Sequence, residues 1–312
     1  EALPPVFMGI ENSADVSGAI VDLSKASPEE LREILNNKAQ EILEGGDENS
    51  YERYENFCSE NDEYIYRAWY TSIKPGKNSL FEFKLQEKVA KGAFGKVYKA
   101  VDASGTQVAV KVLLEEIRGN REYLRSFRRG VRSMKILADN KAKGMVAYSK
   151  ASEIPAFVVM EWIEGPNLVE AKRTGCIDNW DVVLRIAKEL VDIIRCAHML
   201  PERVLHRDIR PSNVMLRGMY STGDDWDLVV LDFDLSWHKG AIEGSVFHSP
   251  SAVGYLAPEQ IHQIDGVSTR NAAVDSFGIG MTLYFICSGC DPLPAQHKHR
   301  DWNTTVYECM KK

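Results

Sequence analysis

The stretch His206-Arg207-Asp208-Ile209-Arg210-Pro211-Ser212-Asn213 constrains this chain more than any other. A carboxylate is followed two residues later by a guanidinium and five residues later by a carboxamide. Just beyond, the apolar run Val229-Val230-Leu231 leads into Asp232, Phe233 and Asp234. These groups suit work on a polyphosphate. One acid can accept a proton from an attacking hydroxyl, and the cation can neutralise the phosphoryl group in flight. The amide oxygen and the second acid can hold Mg²⁺, a hard ion that prefers oxygen ligands.

His-Arg-Asp-x-x-x-x-Asn resembles the catalytic loop of protein kinases, and Asp232-Phe233-Asp234 resembles their Asp-Phe-Gly. Three further stretches, in the right order and spacing, carry the same resemblance. Val89-Ala90-Lys91-Gly92-Ala93-Phe94-Gly95-Lys96-Val97-Tyr98 reads as a strand-turn-strand. Its glycines let backbone N–H groups approach phosphates with no side chain in the way. It resembles the kinase loop Gly-x-Gly-x-x-Gly-x-Val, with Ala90 in place of the first glycine. Val108-Ala109-Val110-Lys111 follows and ends in the lysine expected to bind phosphate. Residues 233 to 256 resemble an activation segment closing on Gly254-Tyr255-Leu256-Ala257-Pro258-Glu259.

The resemblance covers about residues 81 to 292. It implies an α+β, bilobal protein-kinase fold with a small β-rich N-lobe and a larger helical C-lobe. It also implies roles. Asp208 orients a substrate hydroxyl and accepts its proton, Arg210 stabilises charge on the γ-phosphate, and Lys111 holds the α and β phosphates of ATP. Asn213 and Asp232 hold Mg²⁺. Ala90, Gly92 and Gly95 belong to the phosphate-covering loop, while Val89, Val97 and Ala109 line the adenine slot. Met160 is the gatekeeper in Ala156 to Gly165, a segment that reads as an edge strand leading into the interlobe hinge. The backbones of Glu161 and Ile163 bond the adenine edge, and Met215 completes the nucleotide set. Asp275, in Val274-Asp275-Ser276-Phe277-Gly278, buttresses the catalytic loop.

Three further positions depart from the family pattern. A helix is predicted through Tyr123, Leu124, Phe127, Val131, Met134 and Leu137, and the family places on it a glutamate that pairs with the lysine. Here that position is Gly130, 19 residues after Lys111. Glycine removes the anionic partner and costs about 1 kcal/mol mid-helix relative to alanine. Glu122 lies about two turns away, and Glu115 or Glu116 would reach only if the preceding loop folded back. Asp234 replaces the flexible glycine after Phe233. Ala252 sits where Ser/Thr kinases usually carry a threonine. Ser245, Ser249 and Ser251 are candidate phosphosites, with Arg207 suited to pair with a phosphoserine.

The first 79 residues carry no catalytic signature. Ser27-Pro28-Glu29-Glu30 is a helix start, with a capping serine, proline at the first position and glutamate three after the cap. That helix should run through Leu31, Ile34, Leu35 and Ile42 and stop at Gly45-Gly46. A second helix is predicted from about Ser50 to Tyr70, with Tyr51, Tyr54 and Phe57 near one face. Residues 1–79 are therefore a helical extension that braces or regulates the kinase domain at 80–312. Its N-lobe spans about 80–160 and its C-lobe about 165–312, the latter incomplete at its C-terminal end. Asp181 to Leu200 reads as a long amphipathic helix, with His198 as a satisfied structural histidine.

Net charge −7 and pI near 5.6 argue against nucleic acid or an anionic membrane as the main partner. Six cysteines in 312 residues are no disulfide scaffold, so a reduced, cytoplasmic setting is expected. The lone Cys287-Ser288-Gly289-Cys290 reads as a helix end and turn, and His297-Lys298-His299-Arg300 as an exposed loop. No stretch has the roughly 18–20 apolar residues that span a bilayer. The leading expectation is transfer of phosphate from Mg-ATP to Ser/Thr hydroxyls of a protein substrate. A nucleotide-binding pseudokinase and a kinase-fold small-molecule phosphotransferase are the rivals. Gly130, Asp234 and Ala252 motivate the first rival, and the Ala-Pro-Glu close of the activation segment opposes the second.

Overall fold

The computed structural model describes residues 23–44, scattered positions between 53 and 68, 79–80, 83–92, 94–114, 117, 121–153, 156–221, 225–241, 253–261 and 267–292. Two compact units divide the chain. One comprises Glu1–Arg128 with Tyr148–Trp162, the other Arg129–Ala147 with Ile163–Lys312. Glu115, Glu116, Ser245, Ser249, Ser251, Ala252 and the His297–Arg300 run lie outside the described residues.

The first unit begins with helix α1 (Pro28–Glu44). Its capping box closes as the sequence predicts. Ser27 Oγ accepts from Glu30 N at 3.3 Å, and the Glu30 carboxylate accepts from Ser27 N at 2.8 Å. The positions described between 53 and 68 include helical Tyr54, Phe57, Tyr64 and Ala68. Leu31, Leu35, Ala39, Tyr54 and Ala68 bury together, and Arg32 Nε donates to the Ala68 carbonyl at 2.6 Å. The extension thus has a small core of its own.

The same unit holds a six-stranded antiparallel sheet in the order β1-β2-β3-β4-β6-β5. Its strands are β1 (Ser79–Leu80), β2 (Phe83–Lys91), β3 (Gly95–Val101), β4 (Gln107–Leu113), β5 (Tyr148–Glu153) and β6 (Ala156–Glu161). Pairing is direct: Val97 opposes Lys111, Lys111 opposes Val158, and Ala109 opposes Met160. Opposed residues share a face and neighbours alternate. Phe83, Leu85, Ala100, Val108, Val110, Val112, Phe157 and Val159 therefore pack one side as a core. Val97, Ala109, Lys111, Val158 and Met160 occupy the other. The segment from Ala156 is not the edge expected of it. β6 lies between β4 and β5, and its uniform burial reflects neighbours on both sides. The true edge is β5, whose polar Tyr148-Ser149-Lys150-Ala151-Ser152-Glu153 offers no apolar run to read as a strand.

Helix α2 (Arg121–Asp139) runs on from the first unit, and its residues from Arg129 belong to the second. That unit contains α3 (Leu168–Arg173), α4 (Trp180–His198), α5 (Pro258–Ile261) and α6 (Ala273–Ser288). Asn179 caps α4, its side chain accepting from Asp181 N. Val183, Ile186, Leu190, Ile194 and Ala197 form the buried stripe that the periodicity predicts. Two short antiparallel pairs flank the catalytic-loop motif: β7 (Val204–Leu205) with β10 (Trp237–His238), and β8 (Val214–Arg217) with β9 (Asp227–Val230). No described helix is long and apolar enough to cross a membrane.

Candidate active site

β7 ends at Leu205 and β9 at Val230, so the loop 206–213 and the acid Asp232 are both held at strand ends. Asp275, fully buried on α6, accepts from His206 N at 2.9 Å and Arg207 N at 2.6 Å. His198 Nε2 lies 2.7 Å from its other contact, Asp275 Oδ2. One carboxylate thus ties α4, α6 and the loop together. Leu231 N donates to the Asn213 carbonyl at 2.8 Å, and the His206 ring nitrogen Nε2 lies 2.8 Å from the Leu231 carbonyl. These contacts bind the residue before Asp232 to both ends of the loop.

Asp208 is buried. Asn213 Nδ2 donates to the Asp208 backbone carbonyl at 2.9 Å and to Asp208 Oδ2 at 3.0 Å. Both amide hydrogens are used, which settles the amide's orientation and leaves Asn213 Oδ1 as an acceptor. Asp208 Oδ1 accepts no hydrogen bond, and Arg210 Nε stands 3.4 Å from it, an ion-pair distance. Burial pushes the Asp208 carboxyl up to about 7 against the opposing pull of Arg210, and the Asp232 and Asp234 charges add to the rise. Arg207 and Asp232 both have left-handed backbones, at φ 67° and 64°. For residues with a Cβ this costs of order 1–3 kcal/mol each, a strain that clusters at functional sites. Met215 on β8 is half-buried and pairs with Val229.

Asn213 Oδ1 and the Asp232 carboxylate are oxygen donors of the kind that would hold Mg²⁺. Among the described residues no group of three acidic, histidine or cysteine ligands forms an all-protein cage.

In the first unit, Lys111 is buried on β4, between Val97 and Val158. Ala90 pairs with Val97 and so shares its face, while Val89 falls at a register shift between Lys88 and Ala90 and is exposed. Gly92 N donates to the Gly95 carbonyl at 2.8 Å, closing the turn. Gly95 is there for space, since a Cβ would stand 2.7 Å from the Val112 carbonyl oxygen. Met160 is buried beside Ala109, and Glu161 ends β6 opposite Val108. In the second unit, Ile163 is buried.

Gly130 has a structural cause that its sequence did not show. A Cβ there would lie 2.7 Å from the Phe233 carbonyl oxygen, closer than real Cβ contacts come. Asp234 also differs from expectation. It is not among the described residues with positive φ, so this turn requires no glycine, and its side chain is buried.

Four buried polar residues belong to no motif in the sequence: Arg129, Ser133, Ser236 and His238. Arg129 Nε donates to the Ser236 carbonyl at 2.6 Å, and Ser236 Oγ donates to Ser133 Oγ at 2.8 Å. Ser133 Oγ lies 3.2 Å from His238 Nδ1. The available signal was polarity at positions where α2's period demands apolar residues. Burial, then the Arg132 and Arg129 charges, hold the His238 ring down at about 4. The ordinary value near 6.5 applies to the unfolded chain. As pH falls from 6.5 toward 4, the unfolded chain takes up a proton that the folded ring refuses. Stability should drop by roughly 3 kcal/mol across that window. Thermal melts at pH 7 and pH 4.5 should show a smaller pH-driven fall in His238→Asn than in wild type. An equal fall would exclude His238 as the cause.

The fold is a β-sheet unit followed by a mainly helical one, and comparison with known proteins identifies its family. Residues 83–311 match the model of the protein kinase domain, and the chain belongs to the protein kinase family. It is 26% identical over 215 residues to a probable serine/threonine-protein kinase of Clostridium perfringens, covering 67% of this chain and 29% of that protein. It is 25% identical to the serine/threonine-protein kinase PrkC of Bacillus subtilis, covering 71% of this chain and 32% of PrkC. With human receptor-interacting serine/threonine-protein kinase 3 the identity is 29%, covering 69% and 40%. The chain thus spans 29% to 40% of the length of these relatives.

Proposed function

We propose that the chain transfers the γ-phosphoryl group of Mg-ATP to Ser or Thr hydroxyls of protein substrates. The observation that carries this reading is Asp208. It is buried and oriented by two bonds from Asn213, with Oδ1 left to accept a hydroxyl proton. Arg210, beside it, serves the charge on the transferred group. Lys111, buried on β4, takes the α and β phosphates. Ala90, Gly92 and Gly95 cover the phosphates. Val89, Val97, Ala109, Met160 and Met215 hold the adenine, with the backbones of Glu161 and Ile163 at its edge. Asn213 and Asp232 hold Mg²⁺, which supplies charge neutralisation when bound. The Ser/Thr preference is supported by the names of the relatives. Use of ATP suits a cytoplasmic setting.

The helical extension acts on the kinase domain through α2. Tyr54, fully buried, has the Arg128 guanidinium 5.1 Å from its ring centroid. Gly130, which leaves the family's glutamate position without a carboxylate, favours a second reading, a nucleotide-binding interaction module. The decisive experiment offers radiolabelled ATP with mixed protein acceptors and small hydroxyl acceptors, followed by phosphoamino-acid analysis. Phosphoserine and phosphothreonine are expected. Label on small acceptors alone, or ATP binding without transfer, would defeat the proposal.

A further inference from the structure

Gly130 leaves α2 without the carboxylate that the family pattern uses there, yet α2 comes closer to the segment after Asp232 than any side chain at 130 would permit. The Phe233 carbonyl occupies the space of the absent Cβ. Around that contact the bonds converge from one turn of helix. Arg129 precedes Gly130 and grips the Ser236 carbonyl, while Ser133, one turn on, receives the Ser236 hydroxyl. Ser236 N in turn donates to the Phe233 carbonyl at 3.0 Å. The chain from Phe233 to His238 is therefore fixed to α2 at both its backbone and its side chains. Ser133, Ser236 and His238 are almost wholly buried, so each bond is made without water as a competitor.

Ser236 Oγ–H donates to Ser133 Oγ, which lies 3.2 Å from His238 Nδ1 and extends the chain to the ring. His238 then sits in β10, paired with β7, whose next residue is His206 of the catalytic loop. The His206 ring packs edge-on to Phe233 at 4.8 Å between centroids. The segment that follows Asp232 is thus held on one side by α2 and on the other by the strand that feeds the loop.

We propose that Arg129, Ser133, Ser236 and His238 are positioning residues for Asp232, a buried hydrogen-bond chain that fixes the segment after it to α2. The inference rests on the kinase reading, because the site it serves is the Mg²⁺-nucleotide site assigned above. None of the four touches the reacting atoms. They act by holding Phe233 to His238 so that the strained Asp232 backbone presents its carboxylate in one place.

The test uses the 312-residue chain and isothermal titration with ATP, with and without Mg²⁺. Wild type is expected to bind ATP more tightly with the metal. Ser133→Ala should reduce that metal-dependent gain about tenfold and leave metal-free affinity within about twofold. Ser236→Ala should do the same, and the double variant should be no worse than either alone, because both hydroxyls belong to one chain. If one alanine variant fails to fold, the other carries the same reading. An unchanged gain in a folded variant overturns the inference, as does an equal fall with and without Mg²⁺, which is the mark of general damage. The readout does not require phosphoryl transfer. A wild type that gains affinity from Mg²⁺ but transfers nothing defeats the proposed activity alone. Variants that keep the full gain defeat this inference alone.

Discussion

Replacing Gly130 with glutamate, the residue that the kinase pattern places there, should lower phosphoryl transfer at least tenfold. On the sequence alone the opposite is reasonable, since the change supplies the missing partner for Lys111. The geometry argues otherwise. The new Cβ would stand 2.7 Å from the Phe233 carbonyl oxygen and 3.3 Å from the Asp234 Cα, both backbone atoms that cannot swing away. Overpacking of this kind costs about 1–3 kcal/mol when neighbours shift. Here the neighbour that must shift is one residue from Asp232. Gly130→Ala separates the causes. It gains about 1 kcal/mol of helix propensity yet introduces the same clash. Its kcat should also fall, by less than the glutamate variant's, and its melting temperature should not rise. Steady-state kinetics and thermal melts of the two variants check this. Activity above wild type in Gly130→Glu would mean that α2 readily takes another position.

How much was legible in advance follows from the range of each interaction. The capping box at Ser27 and Glu30 and the buried stripe of α4 depend on residues within a turn or two, and the sequence reading placed both. The loop from His206 to Asn213 was legible for the same reason, since Asn213 meets Asp208 five residues away. Strand order was not local. β6 looked like an edge because nothing in the polar sequence of β5 announces a partner. The Ser133–Ser236 bond joins residues 103 apart, and each is an ordinary serine until the fold buries it. Gly130 shows the limit most clearly. In the sequence it stands only as a missing carboxylate, whereas its cause, a carbonyl from a segment 103 positions away, belongs to packing.

Asp208→Asn should lower kcat by about 10²–10⁴-fold, the range associated with a positioned general base, while changing the KM for ATP by no more than a few-fold. The amide is nearly isosteric, and its oxygen can still accept from Asn213 Nδ2. What it cannot do is take a proton from an attacking hydroxyl. Its NH₂ would also face Arg210 Nε, which stands 3.4 Å from the present Oδ1, so donor would meet donor. Stability should move the other way. In the folded chain burial first, then the Asp232 and Asp234 charges, raise the Asp208 carboxyl to about 7, above its ordinary value near 4. A raised folded value means that lowering pH from 7 toward 4 protonates the folded form first and adds stability. Above pH 7 the full cost of the buried charge is present, on the order of a few kcal/mol. Removing the charge relieves that cost, so Asp208→Asn should melt higher than wild type at pH 8, with the difference shrinking toward pH 4. A variant that is both less active and more stable is the signature of a carboxylate kept for chemistry at the expense of the fold. Equal loss of activity and stability would instead mark Asp208 as a structural residue.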